Sequence, residues 1–477
     1  MNSNLLAIGI SYLYIFFVIA VSGLVSKFSR DSSEVSRKIV HIMVGNWIFL
    51  TPLFKSFWAI MIVPFSFIII NALSLKYGLF KSMEREDKSP GTVYYAISLT
   101  ILVGIAYTMN WPILSYAGIL IMAYGDGLAS IVGEKFGKHY PFSFSPKKSL
   151  EGTITVFTLA AIIALGCLLY FDNNIPMGGK IILSLATGFL SAFIELTGND
   201  GCDNLSVPLG AGLFLALSTY FGNTSYYIYM FIVVLILVFA IKKKSLTHEA
   251  IVAAFLTAIT IYALGNQYLG YALLVFFMLG TIASKIKNKE KQKIEEGMES
   301  ATKRTWVQVL ANSLPATILT WLYLYDSTNE IYLLLAFSVF SAATADTFAS
   351  ELGSLSKAKV YSILNFKEVP KGLSGGVSIP GLFASIVGAM ILSIFAIPDF
   401  GLRGFIICSI LGFLGSIIDS YLGILLQRKY KNEKGVLQDR YIVMNQQPDA
   451  GYIFVSNNTV NMATLVVVSM IGYLILV

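Results

Sequence analysis

Charge is scarce in this 477-residue chain: Asp, Glu, Lys and Arg make up only 13% of it, while 56% is hydrophobic. Soluble proteins carry about 25% charged residues, so a water-soluble globular protein is excluded. A disordered chain is excluded too, because that state needs a polar, charge-rich composition. Cysteine is nearly absent, and Cys167, Cys202 and Cys408 make neither a disulfide framework nor a cysteine metal site. Basic residues are missing from the start of the chain, and no Arg precedes Arg30, which argues against a signal or transit peptide. The excess of 34 Lys and Arg over 27 Asp and Glu is, in so apolar a chain, first a topology signal and not a nucleic-acid footprint.

What the sequence has in abundance is apolar runs of the roughly 20 residues that cross a bilayer as a helix. Sixteen are expected, at 5–25, 38–54, 57–75, 93–110, 112–133, 154–171, 180–195, 205–221, 225–241, 249–264, 268–284, 306–325, 331–349, 377–397, 402–425 and 459–477. With the N-terminus outside, every second connection is an inside loop. Of the 34 basic residues only Lys55, Lys180 and Arg403 then fall outside. The expected class is an all-α polytopic membrane protein of about 16 helices in two parallel halves, 1–221 and 222–477. The Lys/Glu run from Lys285 to Glu296 reads as a solvated helical extension.

Ionisable residues inside spans are costly and mark function by default. Here they collect near the inside ends. Arg37 and His41 share one helix face in Ser36-Arg-Lys-Ile-Val-His41. Asp126 lies about 10 Å into the layer, counting 1.5 Å per residue from the end of its span. The loop Ser145-Pro-Lys-Lys-Ser-Leu-Glu-Gly152 follows, with Lys147, Lys148, Ser149, Glu151 and Gly152. Lysines beside Ser and Gly suit a phosphate. Glu195 and the run Asn199-Asp200-Gly-Cys-Asp203-Asn204 suit Mg²⁺, which takes oxygen ligands beside phosphates.

The second half repeats the order. Arg304, Gln308 and Asn312 share a face. Asp346 follows near the inside end of a span with Glu351 just beyond it, then Lys371 with Gly372, Gly375 and Gly376 in a loop, then Asp419, and finally Asn458 and Asn461. Asp126 and Asp346 both head the pattern Asp-x-x-Ala-Ser-x-x-Gly. A distant duplication, or convergence on one chemistry, explains the echo.

These motifs make the first half similar to the polyprenol kinase family that includes phytol kinase and dolichol kinase. They are Arg37-Lys38-x-x-His41, Gly125-Asp126-Gly-x-Ala129, Lys148-Ser-x-Glu151-Gly152, Glu195 and Asp203-Asn204-Leu-x-Val-Pro208. The second half resembles the family containing plant phytyl-phosphate kinase, through Arg304-x-x-x-Gln308-Val-Leu-Ala-Asn312, Asp346-Thr-x-Ala-Ser-Glu351, Pro370-Lys371-Gly, Asp419-Ser420 and Asn458-x-Val-Asn461. It departs from that family at Leu373-Ser374 and in lacking an acid at Asn457-Asn458.

The resemblance implies a membrane enzyme that uses CTP and Mg²⁺ to phosphorylate an isoprenoid alcohol, then its monophosphate, at the cytoplasmic side of a prokaryotic membrane. His41, Asp126, Lys148, Glu151, Asp346 and Lys371 are the expected catalytic residues. Arg37, Lys147, Ser149, Gly152, Arg304, Asn312, Gly372, Gly375 and Gly376 are expected around the nucleotide. Asp126, Glu195, Asp200, Asp203, Asn204, Asp346, Glu351, Asp419, Asn458 and Asn461 are the expected metal ligands. The first-half loop is also close to a phosphatidate cytidylyltransferase signature, although that family's His-Gly-Gly part is missing. Paired halves with polar residues at depth suit a transporter or flippase as well.

The orientation is directly testable. Single cysteines placed in 285–305 and 354–368 of a cysteine-free background should resist a membrane-impermeant maleimide applied to intact cells. Efficient labelling there would overturn it.

Overall fold

The computed structural model describes residues 3–28, 32–78, 89–198, 201–286, 288, 303–431, 435–439 and 446–477. It is built almost wholly of helices, with two short antiparallel strand pairs in the loops of the second half. Contacts divide the chain into two compact units, Met1–Gly222 and Asn223–Val477.

The first unit holds α1 (Ser3–Phe28), α2 (Ser32–Gly45), α3 (Phe57–Tyr77), α4 (Gly91–Met109), α5 (Pro112–Leu120), α6 (Gly127–Phe136), α7 (Leu150–Phe171), α8 (Met177–Thr197) and α9 (Asp203–Tyr220). The second holds α10 (Thr224–Lys242), α11 (His248–Leu264), α12 (Gln267–Lys285), α13 (Trp306–Tyr325), α14 (Ile331–Gly353), α15 (Ile379–Ser393), α16 (Ile397–Leu426) and α17 (Asn457–Leu476).

Every one of the sixteen expected runs is helical, but twelve segments of the described residues are long and apolar enough to cross a membrane. The difference has local causes. Run 38–54 is the end of α2 continued as a 3₁₀ turn, Asn46–Leu53, around Pro52. Run 249–264 is a 17-residue helix, a turn short of a full crossing. Run 205–221 is α9, which opens on the charged Asp203 and carries Pro208 inside. Runs 377–397 and 402–425 join into one stretch, Ile379–Leu426, kinked at Gly401 with φ 60°.

Small residues let the helices of the first unit approach closely, as is usual where lipid gives no hydrophobic drive between helices. A Cβ on Gly118 of α5 would lie 2.4 Å from the Pro208 carbonyl oxygen of α9, and one on Gly212 would lie 2.5 Å from that of Leu114. Between α5 and α6 the chain widens into a π-helical turn, Ile121–Asp126, which ends on the aspartate. Such a turn inserts an extra residue and re-aims the side chains that follow it.

In the second unit α14 is the central helix, with buried side chains along most of its length. It packs against α12, α13, α15, α16 and α17. Ser341 on α14 donates to the Ala389 carbonyl at 3.0 Å and to that of Cys408 at 2.9 Å, tying α15 and α16 to it.

One local device is built in both units. Ser149 caps α7 by accepting from the Gly152 amide at 3.2 Å, and Ser378 caps α15 by accepting from the Gly381 amide at 3.2 Å. A Cβ on Gly152 would lie 3.1 Å from the Ala129 carbonyl oxygen, and one on Gly381 would lie 3.2 Å from that of Ala349. Ala129 and Ala349 hold the same place in the Asp-x-x-Ala-Ser-x-x-Gly pattern. In each unit, therefore, a serine-capped helix start clasps the helix that carries the aspartate.

The α5–α9 approach predicts a contrast between two glycines. Gly118→Val forces backbone apart and should destabilise by about 1–3 kcal/mol, as overpacking does. Gly166→Val meets nothing within 4 Å and should change stability by less than about 0.5 kcal/mol. Thermal unfolding in detergent measures both, and equal shifts would contradict this packing.

Candidate functional site

In the first unit α2, α3, α4 and the π turn line a partly open cavity. Val40, Val63, Phe67 and Leu99 are among its apolar walls, and Arg37, Lys38, His41, Asp126 and Asn204 line its polar end. Helical spacing on α2 brings Arg37, Lys38 and His41 to this one cavity, and the π turn delivers Asp126 to meet them. The His41 Nε2 is 3.5 Å from the Asp126 carboxylate, and the Lys38 Nζ is 3.7 Å from it. His41 is held in place: Nε2 is also 3.2 Å from the Met122 carbonyl, and Tyr95 donates to the His41 carbonyl at 2.9 Å. The Tyr95 ring stands edge-on to the imidazole, with centroids 4.9 Å apart. Asn204 donates to the Gly91 carbonyl at 3.2 Å and keeps a buried Oδ1 with no hydrogen-bond partner.

Beside this cavity three helix ends converge on Lys148. It forms an ion pair with Glu195 at the end of α8 and another at 3.5 Å with Asp203 at the start of α9. Its Nζ also donates to the Glu195 carbonyl at 2.9 Å. Burial works against the ammonium charge, but Glu195 and Asp203, with Asp126 beyond them, outweigh it and hold the Lys148 pKa above the ordinary lysine value. A raised lysine pKa keeps the ammonium charged across the physiological range.

Asp126, His41, Lys148, Glu195 and Asp203, expected from sequence, are thus brought together. Others are not. Glu151 turns to the exposed His139, with Nδ1 at 2.7 Å, and Lys147 is exposed. Ser149 and Gly152 belong to the clasp on α6. Asp200 lies outside the described residues. Lys38, which the sequence offers only as part of the Arg37-Lys38-x-x-His41 motif, lines the site, and so do Asn71 and Tyr95, to which no motif points. A Tyr in an apolar run gives no signal of its own.

The second unit has a partly open cavity of its own. Its apolar part comes from α10, α11 and α12, and its polar part from Arg304, Gln308, Asn312, Asp346, Glu351, Asn458 and Asn461. The carboxyl groups of Asp346 and Asp419 face each other at hydrogen-bonding range. Thr464 donates to Asp419 at 3.2 Å, and Asn461 donates to Asn312 at 3.4 Å while its own buried Oδ1 has no partner.

The Lys371 loop does not line this cavity. Lys371 donates to the Ser356 carbonyl at 2.9 Å. Gly372 and Gly375 have φ of 84° and 83°, which glycine adopts freely, and Gly376 pairs with Ser362 across the first strand pair. The loop is tied down further along, where Ser374 donates its backbone N–H to Asp439 at 3.0 Å. Counted from the clasp, the counterpart of Lys148, which precedes Ser149, is Val377, which precedes Ser378.

Among the described residues no group of three or more His, Cys, Asp or Glu is arranged to hold a metal. In the first unit Lys148 stands against the Glu195 and Asp203 carboxylates expected on a metal. In the second, Asp346, which faces Asp419, and Asn461 line the same cavity, and their oxygens are of the kind Mg²⁺ takes.

Comparison with known proteins follows the same division. Residues 3–199 match the Cytidylyltransferase family, and residues 231–469 match Integral membrane protein DUF92. The chain is 33% identical over 220 residues to a phytol kinase of Synechocystis sp., a match covering 45% of this chain and 92% of that protein. It is 32% identical over 218 residues to a probable chloroplastic phytol kinase of Triticum aestivum, covering 40% and 69%. To the chloroplastic farnesol kinase of Arabidopsis thaliana it is 28% identical over 230 residues, covering 44% and 74%. No solved structure matches it. The chain therefore belongs to the membrane family that includes phytol kinase and farnesol kinase, and through residues 231–469 to the Integral membrane protein DUF92 family as well.

Proposed function

We propose that the protein is a bifunctional isoprenoid kinase. Its first unit transfers a phosphoryl group from CTP to an isoprenoid alcohol such as phytol, geranylgeraniol or farnesol. Its second unit phosphorylates the monophosphate to the diphosphate, and both work at the cytoplasmic face. The names of the relatives and the match to the Cytidylyltransferase family support the alcohol and the nucleotide. The observation that carries the reading is the first cavity, in which Asp126 and His41 stand at the polar end of an apolar chamber. A prenol placed there has its chain among Val63, Phe67 and Leu99 and its hydroxyl beside a proton acceptor.

Phosphoryl transfer asks for positioning and cationic charge more than for covalent chemistry. Lys38 and Lys148 supply charge at the polar end and beside it, and Arg37 adds a planar donor for phosphate oxygens. The apolar walls keep water from competing with the alcohol. In the second unit Asp346, Asp419 and Asn461 would hold Mg²⁺, which when bound neutralises donor phosphate charge.

One alternative draws on the family match over 3–199: a cytidylyltransferase acting on a lipid phosphate. Such an enzyme must seat an anionic head group where this cavity sets the Asp126 carboxylate.

Asp126→Asn should lower phosphorylation of prenol by about a hundredfold or more, the scale of removing one group that acts in the transition state. Conversion of prenyl monophosphate to diphosphate by the same purified variant should continue. Loss of both steps together in a folded protein would contradict two separate sites.

A further inference from the structure

We propose that Arg304 is the cation that seats the phosphate of an isoprenoid monophosphate in the second unit, with the isoprenoid chain lying in the groove between α10, α11 and α12. The assignment rests on the reading of that unit as a prenyl-phosphate kinase and goes beyond it by fixing which end of the acceptor is held, and by what.

Four observations carry it. The cavity is amphiphilic in one direction: Val233, Leu237, Ala258, Leu273 and Phe277 lie on the side of α10–α12, and the polar residues of α13, α14 and α17 close the other. Among the described residues lining it Arg304 is the one cation, against the acids Asp346 and Glu351. A phosphate monoester entering this space therefore meets one positive group among the described residues, and the clasp register leaves Val377 where the first unit has Lys148.

Third, Arg304 is anchored as a built binding residue. Its backbone N–H donates to the Ser245 carbonyl at 2.9 Å, and its carbonyl accepts from the Thr247 amide at 3.0 Å, zipping it to the α10–α11 turn. Fourth, the guanidinium is oriented. It lies over the Phe277 ring, 5.8 Å from the centroid, and a Cβ on Gly280 would come within 3.2 Å of Nη2, so glycine there makes its room. Phe277 thus belongs both to the apolar groove and to the face that steadies the charge. A planar, weakly hydrated fork presented at the end of an apolar groove is the geometry for a phosphate on a greasy chain.

The test is equilibrium binding of tritiated farnesyl monophosphate to the full-length protein in phosphatidylcholine nanodiscs, without nucleotide, beside tritiated farnesol. Arg304→Ala is expected to weaken the monophosphate at least tenfold and farnesol less than twofold, with Arg304→Lys between parent and Ala for the monophosphate. Unchanged monophosphate binding in Arg304→Ala overturns the proposal, and so does an equal loss for farnesol, which would mean collapse of the cavity. Dioleoyl phosphatidic acid competing as well as unlabelled farnesyl monophosphate overturns the single-chain ligand. Should the parent make no diphosphate yet lose monophosphate binding on Arg304→Ala, the binding assignment stands and the kinase reading of this unit falls.

Discussion

A carboxylate held at depth in an apolar helix bundle has to be answered by a partner, because taking one ion out of water costs several kcal/mol even after relaxation. This protein answers that constraint differently in its two units. In the first, Lys38 and His41 meet Asp126, and Lys148 meets Glu195 and Asp203. In the second, Asp346 faces Asp419. Both arrangements draw residues far apart in sequence to one place, and that requirement fixes how the helix ends of each unit are assembled.

The clasp explains why the aspartates can be placed so closely. Ser149 and Ser378 each fix the start of a helix, and the glycine three residues on lets that helix touch the carbonyl of Ala129 or Ala349. Asp126 and Asp346 sit three residues before those alanines, Asp126 at the end of the π turn that runs into the clasped helix and Asp346 on it. The two units thus share a way of holding an aspartate, while the charges around it differ. First-unit cations suit a neutral alcohol meeting an anionic donor. The second cavity, with Arg304 as its one cation among the described residues, suits an acceptor that is itself anionic at one end.

Much of this was legible in the sequence. The apolar runs located every described helix, and the polar residues at their ends include many that the structure gathers in the two candidate sites: Arg37, His41, Asp126, Lys148, Glu195 and Asp203 in one, Arg304, Asn312, Asp346, Asp419 and Asn461 in the other. The echo around Asp126 and Asp346 was visible as a pattern, but its meaning lies in Ser-x-x-Gly caps 23 and 32 residues further on, a spacing set by loops of unequal length. Composition did not reveal the π turn that aims Asp126, nor that Pro52, Pro208 and Gly401 reshape individual runs. Lys371 lies away from the second cavity. A lysine among glycines reads as a phosphate loop; in the structure its ammonium donates to the Ser356 carbonyl, and its glycines serve turns and strand pairing.

The central claim, that CTP gives its terminal phosphoryl group to a prenol, separates cleanly from cytidylyl transfer by where the label goes. Purified protein incubated with geranylgeraniol and either α- or γ-labelled CTP should carry γ-label into a lipid monophosphate and then a diphosphate, with the α-label leaving as CDP. Retention of α-label in the lipid, or no label from either nucleotide in any prenyl product, would contradict the account.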